Sequence, residues 1–298
     1  MITSEKQGFV HLLKIAFPFA IATSAYATLF LIAEEILDDK LYTAGQLGAV
    51  FGMAVAFFLG FRMNSAYDRW WEARKIFGEL TNNSRSFANK IYAYYSNEKN
   101  VSKADKLYIQ QLISLEQFYV KQLTNEIKNR LVKLSDKEQQ LFALFSINSQ
   151  NKISNEILMA LSIAFEKDFH SSAFSEKADL MQHINRFYDI QGKAERIKST
   201  PFLKIYSAFT RLIVWVYVAL IPLFIGDIDL GGENSHLEFL TIPIVAMIST
   251  AFLTINRLAN LYGEPFLNSK TSISVDKICQ TIVQNCDEVK NKLNTMNQ

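Results

Sequence analysis

The chain has 298 residues, of which 49% are hydrophobic and 20% charged, and its formal net charge is +2 at pH 7. So small a positive charge argues against a nucleic-acid-binding protein, because such proteins concentrate Lys and Arg against phosphates. The mean hydropathy of +0.06 would suit a large soluble domain, but the apolar residues are unevenly spread. Four windows contain no charged residue: 15–33, 41–61, 212–226 and 239–256.

With their flanking residues, the four windows are long enough to cross a bilayer as helices, which takes about 20 residues each. The sequence therefore predicts an all-α integral membrane protein that forms one unit over residues 1–298. The predicted spans are about 13–34, 42–62, 206–226 and 238–257. The more polar residues 63–204 and 258–298 would form a large helical region and a tail outside the bilayer.

The charges beside the predicted spans indicate their orientation. The connections after the first and third spans are acidic, with Glu34, Glu35 and the carboxylates between Asp227 and Glu238. Lys and Arg gather on the opposite side, beginning with Arg62, and an excess of these residues marks the cytoplasmic side. We therefore expect a multi-pass protein of the cell membrane, with both termini, residues 63–204 and the tail in the cytoplasm.

Residues 63–204 have the apolar periodicity of long amphipathic helices. The pattern breaks at Ser135–Glu138, and another helix is predicted to start near Ser154. A further helix is predicted over 175–197. The region outside the predicted spans is thus expected to be helical as well.

No pattern of catalytic or metal-ligating residues stands out in the sequence. It has no Gly-rich phosphate loop and no nucleophile motif, and its four histidines are scattered. Cys279 and Cys286 lie seven residues apart, which is neither a metal-ligand spacing nor a disulfide framework, so we interpret both as packing thiols. We expect no enzyme activity, no cofactor, no metal site and no nucleic-acid partner.

Three large apolar residues in the second window, Met53, Phe57 and Phe61, stand four residues apart. On a helix this spacing places them on one face. Gly48 and Gly52 keep a neighbouring surface slim, and small residues let helices approach closely in a bilayer. The spacing alone leaves two interpretations open: a stripe that lines a pathway, or one that faces lipid or packs against a neighbour.

A dense block of charged and aromatic residues follows this stripe directly. The block Asn64–Arg74, with the sequence NSAYDRWWEAR, comes after Gly60–Phe61–Arg62. It resembles the signature that follows the second transmembrane helix in bestrophin-family ion channels. Residues 192–197 and the Glu264–Pro265–Phe266 turn are also similar to the family pattern. The resemblance to prokaryotic bestrophins extends along most of the chain.

The bestrophin resemblance implies a homopentamer around a central pore, with Met53, Phe57 and Phe61 of each subunit forming a narrow hydrophobic neck. It also implies a second constriction, the cytosolic aperture, near residues 171–174, and Phe174 is the candidate for it. A phenylalanine buried on a helix face is the competing interpretation of Phe174.

The block after the neck would form a charge network between subunits or at the membrane interface. A solvated helix face is the competing interpretation, and the two tryptophans would also suit an interfacial belt. The candidate residues are Asp68, Arg69, Trp70, Trp71, Glu72 and Arg74.

The resemblance implies an oligomeric channel for inorganic ions, and we expect anions, chloride first, because this is the commoner activity in the family. A monovalent-cation channel of the same fold and a membrane-anchored scaffold or signalling protein are the alternatives. Calcium activation is not expected. Lys270 stands where animal relatives carry acidic residues, and hard cations need oxygen ligands with carboxylates among them.

Overall fold

The computed structural model describes residues 5–37, 45–96, 103–131, 133–147, 152–167, 174–200, 202–225 and 239–295. Within these ranges the chain is helical, with turns between helices and no strand. The helices are α1 Glu5–Leu37, α2 Gly45–Ser96, α3 Lys103–Ile127, α4 Asp136–Leu144, α5 Ile153–Lys167, α6 Phe174–Ser199, α7 Lys204–Ile225, α8 Thr241–Gly263 and α9 Val275–Thr295.

The chain divides into two compact units. Unit 1 comprises Met1–Trp71 and Pro201–Ser272, and unit 2 comprises Glu72–Thr200 and Ile273–Gln298. Helix α2 contributes its first half to unit 1 and its second half to unit 2. Of the three places where the chain passes between the units, the first, between Trp71 and Glu72, therefore falls inside a continuous helix.

Unit 1 holds four helices that are long and apolar enough to cross a membrane: α1, the first part of α2, α7 and α8. Each predicted span falls in one of these helices, although residues 42–44, 226 and 238 lie outside the described residues. The α1 helix continues through Pro18, so this residue does not end it. Freed backbone groups at a proline can be satisfied by neighbouring helices in a membrane protein.

The second predicted span ends at 62, but the helix does not. Helix α2 continues without a break for 52 residues, up to Ser96. Between Arg62 and Ser96 the sequence has no proline and a single glycine, Gly78, so nothing in it stops the helix. The hydropathy pattern shows where the apolar residues end, and it does not show where the helix ends.

The helices of unit 1 pack through a small apolar cluster and through close approach at glycines. Val55 and Leu59 of α2 lie in this cluster with Val218 of α7 and Leu253 of α8. A Cβ atom placed on Gly48 would come within 2.4 Å of the Phe224 ring on α7. Any larger residue at 48 would therefore push α2 and α7 apart.

Replacing Gly48 by alanine should destabilise unit 1. Overpacking a tight contact costs about 1–3 kcal/mol, which exceeds the ~0.5–1 kcal/mol that alanine gains over glycine in a helix. Gly60→Ala is the matched control, because a Cβ atom at Gly60 meets nothing within 4 Å. In thermal melts of the detergent-solubilised protein, Gly48→Ala should melt below the wild type and Gly60→Ala should not. Equal melting temperatures for the two variants would contradict this packing.

Unit 2 contains α3, α4, α5, α6 and α9 with the second half of α2. The predicted helix over 175–197 is confirmed as α6, and the one near Ser154 as α5. The break in apolar periodicity predicted at Ser135–Glu138 is also the start of α4. Ser135 is the N-cap of this helix, and its backbone N–H donates to Glu138 Oε2 at 2.9 Å. This is one arm of a capping box, a start signal that a break in periodicity conceals.

The core of unit 2 is aromatic. Phe87 packs edge-on against Phe165 and Phe187, with ring centroids 5.8 and 5.6 Å apart. Cys279 and Cys286 of α9 are free and buried, as expected of packing thiols.

Glu116 of α3 is a carboxyl group fully buried in unit 2. It accepts a hydrogen bond from the Ser84 hydroxyl of α2, and the Cys286 thiol of α9 lies 3.8 Å from its Oε2. Burial raises the pKa of Glu116 from 4.5 to about 8, and the two hydrogen bonds offset only part of that rise. At neutral pH the folded protein thus holds Glu116 protonated.

Glu116→Gln should remove a pH-dependent loss of stability. Between pH 4.5 and about 8 the unfolded chain releases the Glu116 proton and the folded chain keeps it, so stability falls as pH rises by up to ~1.4 kcal/mol per pH unit. Glutamine stays neutral and can still accept from Ser84. The variant should therefore melt higher than the wild type at pH 8, with the difference vanishing towards pH 4.5. A difference that is constant over this range would contradict the assignment.

Candidate functional site

The predicted neck residues form an uncovered stripe on α2. The exposed fractions of Met53, Phe57 and Phe61 are 66%, 62% and 52%. The opposite face of the same helix is buried in unit 1, with Val55 and Leu59 each at most 2% exposed. One face of α2 therefore holds the bundle together, and the other presents large apolar side chains outward.

Phe57 and Phe61 also contact each other. Their ring centroids lie 4.4 Å apart with the planes at 90°, so the edge of one ring meets the face of the other. Aromatic edges carry partial positive charge and faces partial negative charge. The pair thus presents both kinds of surface within one turn of helix.

The residue directly after the stripe, Arg62, is only 1% exposed. Its Nη1 donates to Asn256 Oδ1 and its Nη2 donates to Asn260 Oδ1, both on α8. Asn256 and Asn260 are one turn apart, which suits the two arms of one guanidinium. Burying a charge is costly unless hydrogen bonds compensate, so this contact fixes α2 against α8.

The aromatic block has partly buried side chains and exposed ones. The Trp70 indole N–H donates to the Thr271 carbonyl at 3.0 Å, and Tyr262 meets the Trp70 ring edge-on at 6.0 Å. Trp70 thus ties α2 to the turn after α8. Its neighbours Trp71 and Asp68 are exposed, and Arg69 is partly buried.

Two members of the predicted network belong to unit 2. The Glu72 carboxylate accepts from Arg196 Nη2 at 2.7 Å, so this glutamate has a partner within the chain. Arg74 is partly buried, with its guanidinium close to Gly78. Phe174, the candidate for the aperture, is the first residue of α6, but its side chain and residues 171–173 lie outside the described residues.

A sequence model of the family described as bacterial/fungal bestrophin protein matches residues 5–288. The chain belongs to this family. The match covers both units, so the resemblance that the Asn64–Arg74 block indicated is confirmed along nearly the whole bestrophin chain.

Named relatives and solved structures agree with the family. The voltage-dependent anion channel-forming protein YneE of Escherichia coli K12 is 26% identical over 236 residues, which cover 78% of this chain and 73% of the relative. The similarly named sll1024 of Synechocystis is 23% identical over 253 residues, with 82% and 77% covered. A bacterial bestrophin homologue from Klebsiella pneumoniae aligns with a TM-score of 0.74 at 18% identity, covering 94% of this chain and 98% of that one. The predicted all-α bestrophin fold is confirmed.

The sequence of this bestrophin does not by itself indicate that Arg62 is buried, because its position suits a charge that marks the cytoplasmic side. The sequence nevertheless offers two signals for a buried role: a charged residue directly after the apolar stripe, and two asparagines four residues apart, of which the first ends the last apolar window. No group of His, Cys, Asp and Glu that could hold a metal occurs among the described residues.

Changing Asn256 tests the Arg62 contact. Asn256→Leu removes an acceptor from a buried cation, which costs about 1.5–3 kcal/mol, so the solubilised protein should melt several degrees lower. Asn256→Asp is nearly the same shape and supplies a carboxylate, so it should melt at or above the wild-type temperature. Equal melting temperatures for the Leu and Asp variants would show that the Asn256 amide does not stabilise the buried Arg62 side chain.

Proposed function

We propose that this bestrophin is an anion channel with chloride as its main permeant ion. The observation that carries the proposal is the uncovered stripe of Met53, Phe57 and Phe61 on a helix whose other face is buried. Family membership supports it, as do relatives that are named voltage-dependent anion channel-forming proteins. A scaffold tethered by four spans would need this face of α2 only to be apolar, so the size of the three side chains would be replaceable.

The proposal requires an oligomer, because one helix cannot enclose a path for ions. We propose five subunits around an axis, as the resemblance implies, with each α2 presenting its stripe to the centre. The spans would be about 13–34, 42–62, 206–226 and 238–257, with residues 63–204, the tail and both termini in the cytoplasm. Lipid would then cover the exposed apolar faces of the other helices of unit 1.

Conduction through such a neck is passive. Rings of Met53, Phe57 and Phe61 would expel water when narrow, which closes the path without a moving plug. When the path is wide enough for ions, phenylalanine edges turned to the lumen would attract anions. The edge-to-face pair of Phe57 and Phe61 can supply one such edge.

Selectivity is tested by the reversal potential. Purified protein in planar bilayers under a tenfold KCl gradient should reverse close to the chloride equilibrium potential, which is about 59 mV for a single charge. Reversal near the potassium equilibrium potential would replace anion selectivity by the cation-selective alternative. An absence of current at every voltage would favour the scaffold alternative.

The neck is tested by trimming its rings. Phe57→Ala combined with Phe61→Ala should widen the constriction and raise conductance or leak severalfold, since dewetting depends steeply on width. The matched control, Phe17→Ala with Phe239→Ala, removes two equally exposed phenylalanines that lie outside the stripe, at 66% and 68%. Currents that change equally in both double variants, or in neither, would show that the stripe does not line the ion path.

A further inference from the structure

Unit 1 contains a cavity of about 390 Å³ that the proposed ion path does not use. It lies among the start of α1, α2, the end of α8 and the turn that follows α8. Leu12 and Ile15 of α1 and Leu258 of α8 supply much of its apolar lining. The volume falls in the range of small-molecule sites, about 300–1,000 Å³.

Two basic side chains also line this cavity, His11 on α1 and Lys270 on the turn. Lys270 is exposed and takes part in no ion pair within the described part of the chain. Its ammonium group therefore has no fixed counter-charge in the described ranges. An anion at the cavity mouth would supply one.

The rest of the lining is chemically defined. The Trp70 N–H, which could otherwise serve a ligand, is already bonded to the Thr271 carbonyl. Tyr67 and Tyr262 add aromatic surface beside Trp70. The cavity thus combines an apolar wall, a cluster of aromatic rings and basic groups, which is the pattern of a site for an amphiphile with an anionic head.

We propose that this cavity binds one anionic phospholipid. Its phosphate would lie at Lys270 and His11, and the upper part of an acyl chain would lie against Leu12, Ile15 and Leu258. The inference rests on the proposed function only in that it places this end of the apolar helices at the cytoplasmic face of the membrane. A free inorganic phosphate fits less well, because it gains nothing from the apolar wall.

The lipid would also touch the helix that carries the stripe. Tyr67 and Trp70 lie on α2 within three turns of Phe61. A bound lipid would therefore fill the space beside α2 and make its packing depend on the lipid composition.

Trp70 lines the cavity and can serve as its fluorescent probe. The sequence has only three tryptophans, so the other two can be replaced. A variant with Trp71→Phe and Trp215→Phe leaves Trp70 as the only fluorophore of this kind. The full-length protein is reconstituted with increasing amounts of brominated phosphatidylglycerol or brominated phosphatidylcholine, which quench tryptophan on contact. The phosphatidylglycerol should reach half-quenching at a mole fraction about fivefold lower, as expected for a basic residue that meets an anionic lipid.

Lys270→Gln should remove this preference, and Lys270→Arg should keep it. Lys277→Gln is the matched control, since it makes the same charge change at an exposed residue of α9 that does not line the cavity. Equal quenching by the two lipids would overturn the proposal. So would a preference that survives Lys270→Gln, or one that excess inorganic phosphate abolishes.

Chloride efflux from liposomes of the same lipids that hold the wild-type protein, with Trp71 unchanged, separates this inference from the proposed function. Efflux without a lipid preference at Trp70 would overturn the lipid site and leave the channel standing. A lipid preference without efflux would support the site and count against the channel.

Discussion

The buried guanidinium of Arg62 is the contact on which the rest of unit 1 depends. A charge in an apolar bundle is tolerated only if its donors find acceptors, and both acceptors come from one face of α8. This requirement fixes the rotation of α2 about its own axis as well as its height against α8. Since neighbouring residues on a helix are about 100° apart, burying Arg62 also turns Phe61, Phe57 and Met53 away from the bundle.

The close approach of α2 and α7 follows from the same constraint. Because α2 is held at one rotation, Gly48 and Gly52 face α7. Their neighbours there are the rings of Phe224 and Tyr217. Hydrophobic attraction contributes little between helices in lipid, where the tails are as apolar as the side chains. Complementary shape and polar contacts between helices, such as the hydrogen bond from the Tyr26 hydroxyl to the Ala219 carbonyl at 2.6 Å, therefore contribute more to the packing.

Much of the fold could be predicted from the sequence, because length and periodicity are local properties. The four apolar helices, the stripe on α2 and the α6 helix are each visible within one window of residues. The buried role of Arg62 is not local, since Asn256 lies 194 residues further along the chain. In the sequence, a basic residue at the end of an apolar stretch looks like one that reaches for headgroups, and only the position of α8 shows that it points inward.

The stripe on α2 differs from the other uncovered surfaces of unit 1. Leu29 and Met247 are exposed within stretches that carry no charged residue for one turn on either side, as expected of surfaces that meet lipid. The stripe instead continues on the same face into Asn64 and Asp68, which are exposed as well. A surface that changes from apolar to polar within two turns suits a path that is dry at one level and wet at the next. Together with the exposure of the stripe, that change from apolar to polar residues favours an ion path over a lipid contact for this face of α2.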